Sequence, residues 1–180
     1  KRAHCDDGFQ ASLMAFPAVA AANYSEETIG TTTHDVLLPT GVASGNLLFL
    51  LICMEGNNPT ISDMPAGWAE IKDLLSGTNN NLSIWWKQSD GTEVSFTYTS
   101  SLSVRSSQRT LRITGHLSAT APSVSTGATG TSVSPDPDSL NPAGAAEDIM
   151  WIACCTSDAG VVSAYPTNYA DNQFTDGTPG

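Results

Sequence analysis

The chain has 180 residues and a formal net charge of −11, from 7 basic and 18 acidic side chains. This length suits one domain with a hydrophobic core and is short for two. The acidic balance argues against nucleic acid as a partner, because nucleic-acid binding needs clustered Lys and Arg. The one basic group, Arg105, Arg109 and Arg112, would not share one face of a strand. No apolar run is long enough to span a membrane.

Residues 1–33 are predicted to form an N-terminal extension or arm, followed by one domain over residues 34–180. Within the arm, Phe16, Pro17 and Val19 favour an extended, moderately apolar stretch, since proline fixes φ and lacks a donor. Two placements are open for the Phe16–Ala22 stretch. It packs on its own domain, or it pairs with the sheet edge of a neighbouring subunit.

The strongest local signal is the stretch Leu47–Cys53, seven consecutive apolar residues bounded by turn residues on both sides. It is too short for a membrane span and lacks the polar side of a surface helix. A strand that is apolar on both faces is typical of the centre of a sheet, covered on both sides. We therefore predict a central core strand here.

Short strand-like runs recur along the chain between polar turns, with no helical period. The resulting prediction is an all-β protein, a single β-sandwich of jelly-roll kind with an extended N-terminal arm. The Asp90-Gly91 pair predicts a hairpin between Leu82–Gln88 and Val94–Thr99. Tyr24–Thr33 is predicted as loop or edge strand. The predicted strands are Asp35–Leu38, Leu47–Met54, Trp68–Leu74, Leu82–Lys87, Val94–Thr99, Thr110–Thr114, Met150–Cys155 and Val161–Tyr165.

The long segment 117–148 is rich in Ser, Thr, Gly, Ala and Pro, and its proline-rich centre excludes helix and central strand. Asp136 and Asp138 offer oxygen atoms to calcium, but no EF-hand loop with its glycine and final glutamate surrounds them. An exposed rigid loop is the favoured interpretation.

Four cysteines are present, Cys5, Cys53, Cys154 and Cys155. Cys53 lies within the apolar run, where a reduced thiol behaves as a small hydrophobe. A disulfide with any of the other three is possible, and spacing alone does not give the pairing. No CxxC or His/Cys spacing predicts a zinc site, and no cofactor is predicted.

Catalytic signatures are weak in this sequence, and we predict a non-enzyme. His34-Asp35 and His116 stand at no spacing that supports a triad with a serine, and the Gly41–Gly45 stretch is out of register for a nucleophile elbow. The aromatic side chains Trp85 and Trp86 could stack on sugar rings, although neighbouring strand residues point to opposite faces, which favours core or interface. Trp151 is predicted to be core.

Several stretches together resemble a family of phage-encoded structural proteins, small β-sandwich proteins associated with the virion or tail. They cover most of residues 14–170 and carry turns and core strands rather than catalytic groups. The stretches are MAFPAVAA (14–21), LPTGVASGNLLFLLI (38–52), MPAGWAEI (64–71), IWWKQSDGTE (84–93), RITG (112–115), STGATGTSVSPDPDSLNPAG (125–144) and DIMWIA (148–153).

The resemblance implies an exterior protein, virion-attached or extracellular, that assembles with other copies of itself or with virion proteins. Relatives of this kind carry further sequence after the position of Gly180 and at least one more strand. A sheet lacking that strand would have an open edge, which another copy's Phe16–Ala22 arm could fill. An extracellular, pilus-like filament joined by donor-strand exchange and a carbohydrate-binding module are the alternative functions.

Overall fold

The computed structural model describes residues 16–116, 120–131, 137–141 and 149–157. Six strands and no helix are present among these residues, so none of them forms a helix that could cross a membrane. The strands are β1 (Ala18–Val36), β2 (Leu47–Glu55), β3 (Ile61–Ser62), β4 (Ala69–Ser76), β5 (Asn80–Gln88) and β6 (Phe96–Thr114). The all-β prediction is confirmed.

All six strands belong to one antiparallel sheet with the order β1-β6-β2-β5-β4, and β3 pairs with β6 beside this path. The central position of β2 is confirmed, since it pairs with β5 on one side and β6 on the other over nearly its whole length. Strands β1 and β4 form the two edges. β1 runs through the predicted boundary between the arm and the domain, which lies between residues 33 and 34. Residues 18–33 therefore belong to the sheet.

The apolar run of β2 supplies both faces of the sheet, as its composition predicts. Leu48, Leu50, Ile52 and Met54 belong to one buried cluster, which also contains Trp68 and other side chains. Phe49, between Leu48 and Leu50, belongs to a second cluster on the other face, because successive strand residues alternate. The second cluster is covered in part by Met150, Ile152 and Cys154, which belong to no strand.

The predicted hairpin between Leu82–Gln88 and Val94–Thr99 is wrong. β5 pairs with β2 and β4, and β6 pairs with β2, so the two strands flank β2 instead of touching each other. The physical reason is that β2 is apolar on both faces and therefore lies at the centre of the sheet. A strand pairs with each of its two edges, and β5 and β6 are those strands. The chain between β5 and β6 crosses the start of β2, where backbone bonds join Gly45 to Ser89 and Ser89 to Asn46.

The Glu93 side chain stabilises the chain at this crossing. Its carboxylate accepts hydrogen bonds from Ser89 Oγ at 2.6 Å and from the backbone nitrogens of Asp90 and Gly91, and it pairs with Lys87 Nζ at 3.1 Å. Burial alone would raise the pKa of Glu93, but these donors outweigh it and lower the pKa to about 2. The crossing is therefore fixed by a charged group that is nearly buried.

We expect Gly91→Ala to lower the free energy of unfolding by about 1–3 kcal/mol. Gly91 has φ of 90°, and a Cβ there would lie 2.8 Å from the backbone nitrogen of Ser44. The matched control is Gly77→Ala, at φ of 62° with nothing within 4 Å, for which the backbone cost alone is about 1 kcal/mol. Equal losses in urea unfolding of the two variants would contradict the close crossing.

Two further predictions near β6 need correction. Val94–Thr99 and Thr110–Thr114 were expected as separate strands, but they are the ends of one 19-residue strand. The middle of this strand is rich in serine, and most of its buried residues are polar. Apolar periodicity therefore does not predict one continuous strand here. Val94 itself precedes the strand and is 75% exposed.

The predicted strand Met150–Cys155 is wrong, since these residues belong to no strand, and Trp151 is 46% exposed rather than core. Its neighbours Met150 and Ile152 turn toward the sheet, which leaves Trp151 on the outer side of the segment. The predicted strand Val161–Tyr165 lies outside the described residues.

The ribbon formed by β1 and β6 folds back on itself. Register shifts interrupt the pairing between Glu27 and Thr33. Beyond them, the far half of the ribbon returns over the near half: Ser25 Oγ donates to Asp35 O at 2.6 Å, and Thr110 Oγ1 donates to Leu37 O at 2.6 Å. The inward residues of the two halves therefore face each other.

Candidate functional site

A buried polar cluster fills the space between the two halves of the folded ribbon. Strand β1 contributes Glu27 and His34, and β6 contributes the other four members. His34 is fully buried, Ser100 and Gln108 are nearly so, and Ser106 is 7% exposed. We call the following set the polar cluster: Glu27, His34, Tyr98, Ser100, Ser106 and Gln108.

Strand alternation places these residues together. Ser100, Ser106, Gln108 and Thr110 are all buried, while Ser107 and Arg109 between the last three are half-buried. An alternating strand whose inward positions are hydroxyls and an amide requires partners inside, because an unpaired buried polar group is costly. His34 and Glu27 of the facing strand supply them.

His34 uses both ring nitrogens in hydrogen bonds. Nδ1 lies 2.6 Å from Ser106 Oγ and 3.3 Å from Glu27 Oε2, and Nε2 lies 2.7 Å from Ser100 Oγ. The ring is stacked on Tyr98, with centroids 4.8 Å apart and planes 18° apart. The ring is thus held at both nitrogens and on one face.

The two serine hydroxyls that face the ring also have oxygen acceptors. Ser106 Oγ donates to Glu27 Oε2 at 2.5 Å, and Ser100 Oγ donates to Leu102 O at 2.6 Å. Each hydroxyl has one proton, and in both cases an oxygen acceptor lies within reach of that proton in addition to the ring nitrogen of His34.

Glu27 gathers donors from four directions. Besides Ser106 and His34, it accepts from Gln108 Nε2 at 3.0 Å and from Asp35 N at 2.8 Å. Burial would raise the pKa of Glu27, but the bonds from His34, Ser106, Asp35 N and Gln108 together lower it to about 2. Burial raises the pKa of Tyr98, whose hydroxyl accepts from Gln108 Nε2 at 3.0 Å.

The cluster contains the residue types of a Ser-His-acid triad, but its geometry does not suit that chemistry. A general base needs a nitrogen lone pair facing the hydroxyl that it deprotonates. Here the Ser106 hydroxyl donates to Glu27 instead of to the ring of His34. The cluster is a buried network of hydrogen bonds around the Glu27 carboxylate and the His34 ring.

The sequence singled out only one member of this cluster. His34 was considered with Asp35, yet Asp35 is exposed and contributes its backbone nitrogen to Glu27. His116 lies just beyond β6 and is half-buried. The missed signal was the spacing of Ser106, Gln108 and Thr110 at every second position, which marks one face of a strand even though no member is apolar.

The candidate assembly residues lie at the start of the edge strand β1. Phe16 is 54% exposed and Val19 is 42% exposed, while Pro17 between them is half-buried. Ala18 and Ala22 pair with Thr114 and Leu111 of the same chain. The stretch is thus already a strand of its own sheet, and among the described residues only β6 pairs with it.

Trp85 and Trp86 point to opposite faces of β5, as strand alternation predicts. Both are half-buried: Trp85 packs against the cluster that contains Leu50, and Trp86 packs against the cluster that contains Phe49. The Trp85 indole nitrogen donates to Ser83 Oγ at 2.6 Å. The glycan-stacking role remains a prediction for both residues.

We expect no binding of this protein to a glycan array. Trp85 and Trp86 each pack against a core cluster, and they lie on opposite faces of β5, so the two indoles cannot form one stacking platform. The measurement compares the wild type with Trp86→Ala on the same array. Specific glycan binding by the wild type that Trp86→Ala abolishes would contradict this expectation.

No disulfide joins Cys53, Cys154 and Cys155, and Cys5 lies outside the described residues. Cys53 Sγ lies within hydrogen-bond distance of Asn80 Oδ1, at 3.2 Å, and of Thr156 Oγ1, at 3.0 Å. Burial, with a smaller effect of Cys155, raises the pKa of the Cys154 thiol to about 12, which makes it a poor nucleophile.

Within the described ranges, no group of three or more His, Cys, Asp and Glu side chains is arranged to hold a metal ion. Asp138 accepts a hydrogen bond from Thr126 Oγ1 at 2.6 Å, and Asp136 lies outside the described residues.

No protein-family model, curated protein or solved structure matches this chain.

Proposed function

We propose that this protein is a non-enzymatic structural subunit that self-assembles, or attaches to a phage particle or tail, outside the cell. The observation that carries the proposal is the edge strand β1, 19 residues long, which pairs with β6 on one side only among the described residues. An unprotected sheet edge offers a row of backbone donors and acceptors to another chain.

The polar cluster supports a structural role. Its carboxylate, imidazole and hydroxyl groups lie between the halves of the β1–β6 ribbon, and their hydrogen bonds hold the ribbon in its folded shape. A ribbon that doubles back in this way is how a jelly roll builds two facing layers. We therefore propose the β-sandwich of jelly-roll kind as the arrangement of the whole domain.

The assignment to a phage particle or tail rests on the resemblance of the core and turn stretches, above all LPTGVASGNLLFLLI (38–52) and IWWKQSDGTE (84–93). In the structure these stretches form the central strand β2, the strand β5 and the crossing between them, so they carry the fold. A pilus-like filament would use the same edge, but donor-strand exchange would require the Ala18–Ala22 pairs with β6 to break.

Light scattering and negative-stain electron microscopy of the native material test this proposal. The proposal expects particles containing several copies, whose mass exceeds the 18.8 kDa of one chain. A protein that stays at the mass of one chain at every concentration would contradict self-assembly.

A further inference from the structure

We infer that two copies pair through the same stretch of β1, Ala18–Ser25, in antiparallel orientation about a twofold axis. This inference rests on the proposed function and specifies its partner as a second copy of this chain. The product is a closed dimer in which the two sheets become continuous, since an interface that uses one patch on both subunits closes on itself.

The first argument is the composition of this edge. Ala18–Ser25 reads AVAAANYS and contains no charged residue and no proline. Natural sheet edges are normally protected from pairing by Lys, by proline, by inward-pointing charges or by bulges. Of these, the stretch has a register shift between Val19 and Ala21, and Ala21–Ser25 then runs in unbroken register with β6. Ala18, Val19, Ala20 and Ala22 are exposed, and all are small enough to let a second strand approach.

The second argument is the contrast with the opposite edge. β4 carries Glu70, Lys72 and Asp73 within its eight residues. Lys72 Nζ donates to Thr126 O, and Gly127 packs against the side chains of Lys72 and Leu74, so another part of the chain lies beside this strand. Head-to-tail assembly would need β1 to pair with β4, which is charged and contacted by residues 126 and 127, or with β3, which has only two residues.

The third argument fixes the orientation. Glu26 and Glu27 follow Ser25 directly, and the whole chain has a net charge of −11. Parallel in-register pairing would place Glu26 beside Glu26 of the second copy, and like charges directly opposite are destabilising. Antiparallel pairing centred on Ala22 places Glu26 opposite Ala18, so the acidic residues stay apart.

The test uses charge at the centre of the edge. Ala22→Lys and Ala22→Glu are each expected to raise the dimer Kd by about tenfold, because each variant meets its own charge across the axis. An equimolar mixture of the two is expected to restore dimers, which native mass spectrometry identifies as heterodimers. Ala69→Lys on the β4 edge is the matched control and is expected to leave the Kd unchanged.

The outcomes separate this inference from the proposed function. Wild-type dimers, weakened by each Ala22 variant and restored in the mixture, support both. A wild type that forms assemblies of more than two copies, together with a mixture of the two Ala22 variants that forms no heterodimers, would overturn the twofold pairing. Self-assembly would still stand. A wild type that is monomeric at every concentration would overturn both. If an Ala22 variant loses its β circular dichroism, Val19→Lys alone replaces the pair: a lysine on this edge is expected to raise the dimer Kd, and an unchanged Kd would overturn the inference.

Discussion

Glu27→Ala is expected to lower the free energy of unfolding by about 3–5 kcal/mol, because it removes the acceptor of several donors at about 1–3 kcal/mol each. The substitution leaves the Ser106 hydroxyl, the Asp35 amide and the Gln108 amide without this acceptor. Urea unfolding measures the loss. The control is Glu26→Ala, an exposed neighbour whose carboxylate accepts from the Tyr24 hydroxyl, with an expected change within about 0.5 kcal/mol.

The pH dependence gives the same residue a second readout. Its folded pKa of about 2 lies below the ordinary value of 4.5, so its contribution is fully present above pH 4.5 and is lost as the pH falls toward 2. The contribution is at most about 3 kcal/mol, since one pKa unit corresponds to roughly 1.4 kcal/mol and solvent screens part of the interaction of this half-buried carboxylate. Glu27→Gln is expected to flatten this acid limb without abolishing it, because Glu93 titrates in the same direction. If the loss of stability at acid pH is unchanged in Glu27→Gln, the Glu27 carboxylate does not have the lowered pKa.

Leu50→Ala is expected to lower the free energy of unfolding by about 2–5 kcal/mol, the range for a cavity in a packed core. Leu50 is fully buried at the centre of β2, between Trp85 of β5 and Thr110 of β6. Leu75→Ala on the edge strand β4 is the matched control, since Leu75 is 38% exposed, and it should lose clearly less. Similar losses in the two variants would mean that β2 is not the centre of the core.

The sequence predicted the core strand well because its signal is apolar and local. Seven consecutive apolar residues between turns have few physical solutions, and β2 occupies the predicted place with both faces covered. The pairing of β5 with β2 was not predicted. A local Asp-Gly turn indicates a hairpin, whereas the pairing of β2 with two neighbouring strands joins residues that are far apart in the sequence. The close approach of Gly91 to Ser44 depends on residues 47 positions apart.

The polar cluster was predicted least well. Hydrophobic periodicity finds strands whose inward residues are apolar, and the inward positions of β6 include Ser106, Gln108 and Thr110. Their burial makes sense only with Glu27 and His34, which are 79 and 72 residues from Ser106. Such a set becomes visible once the fold of the ribbon brings the two strands together.

The mass of the wild-type protein in solution, measured by sedimentation equilibrium over a range of concentrations beside Ala22→Lys, tests the central claim most directly. The open β1 edge predicts self-association of the wild type, and of Ala69→Lys, that Ala22→Lys weakens by about tenfold in Kd. A wild type that remains at 18.8 kDa throughout, or one whose association Ala22→Lys leaves unchanged, would contradict assembly through this edge.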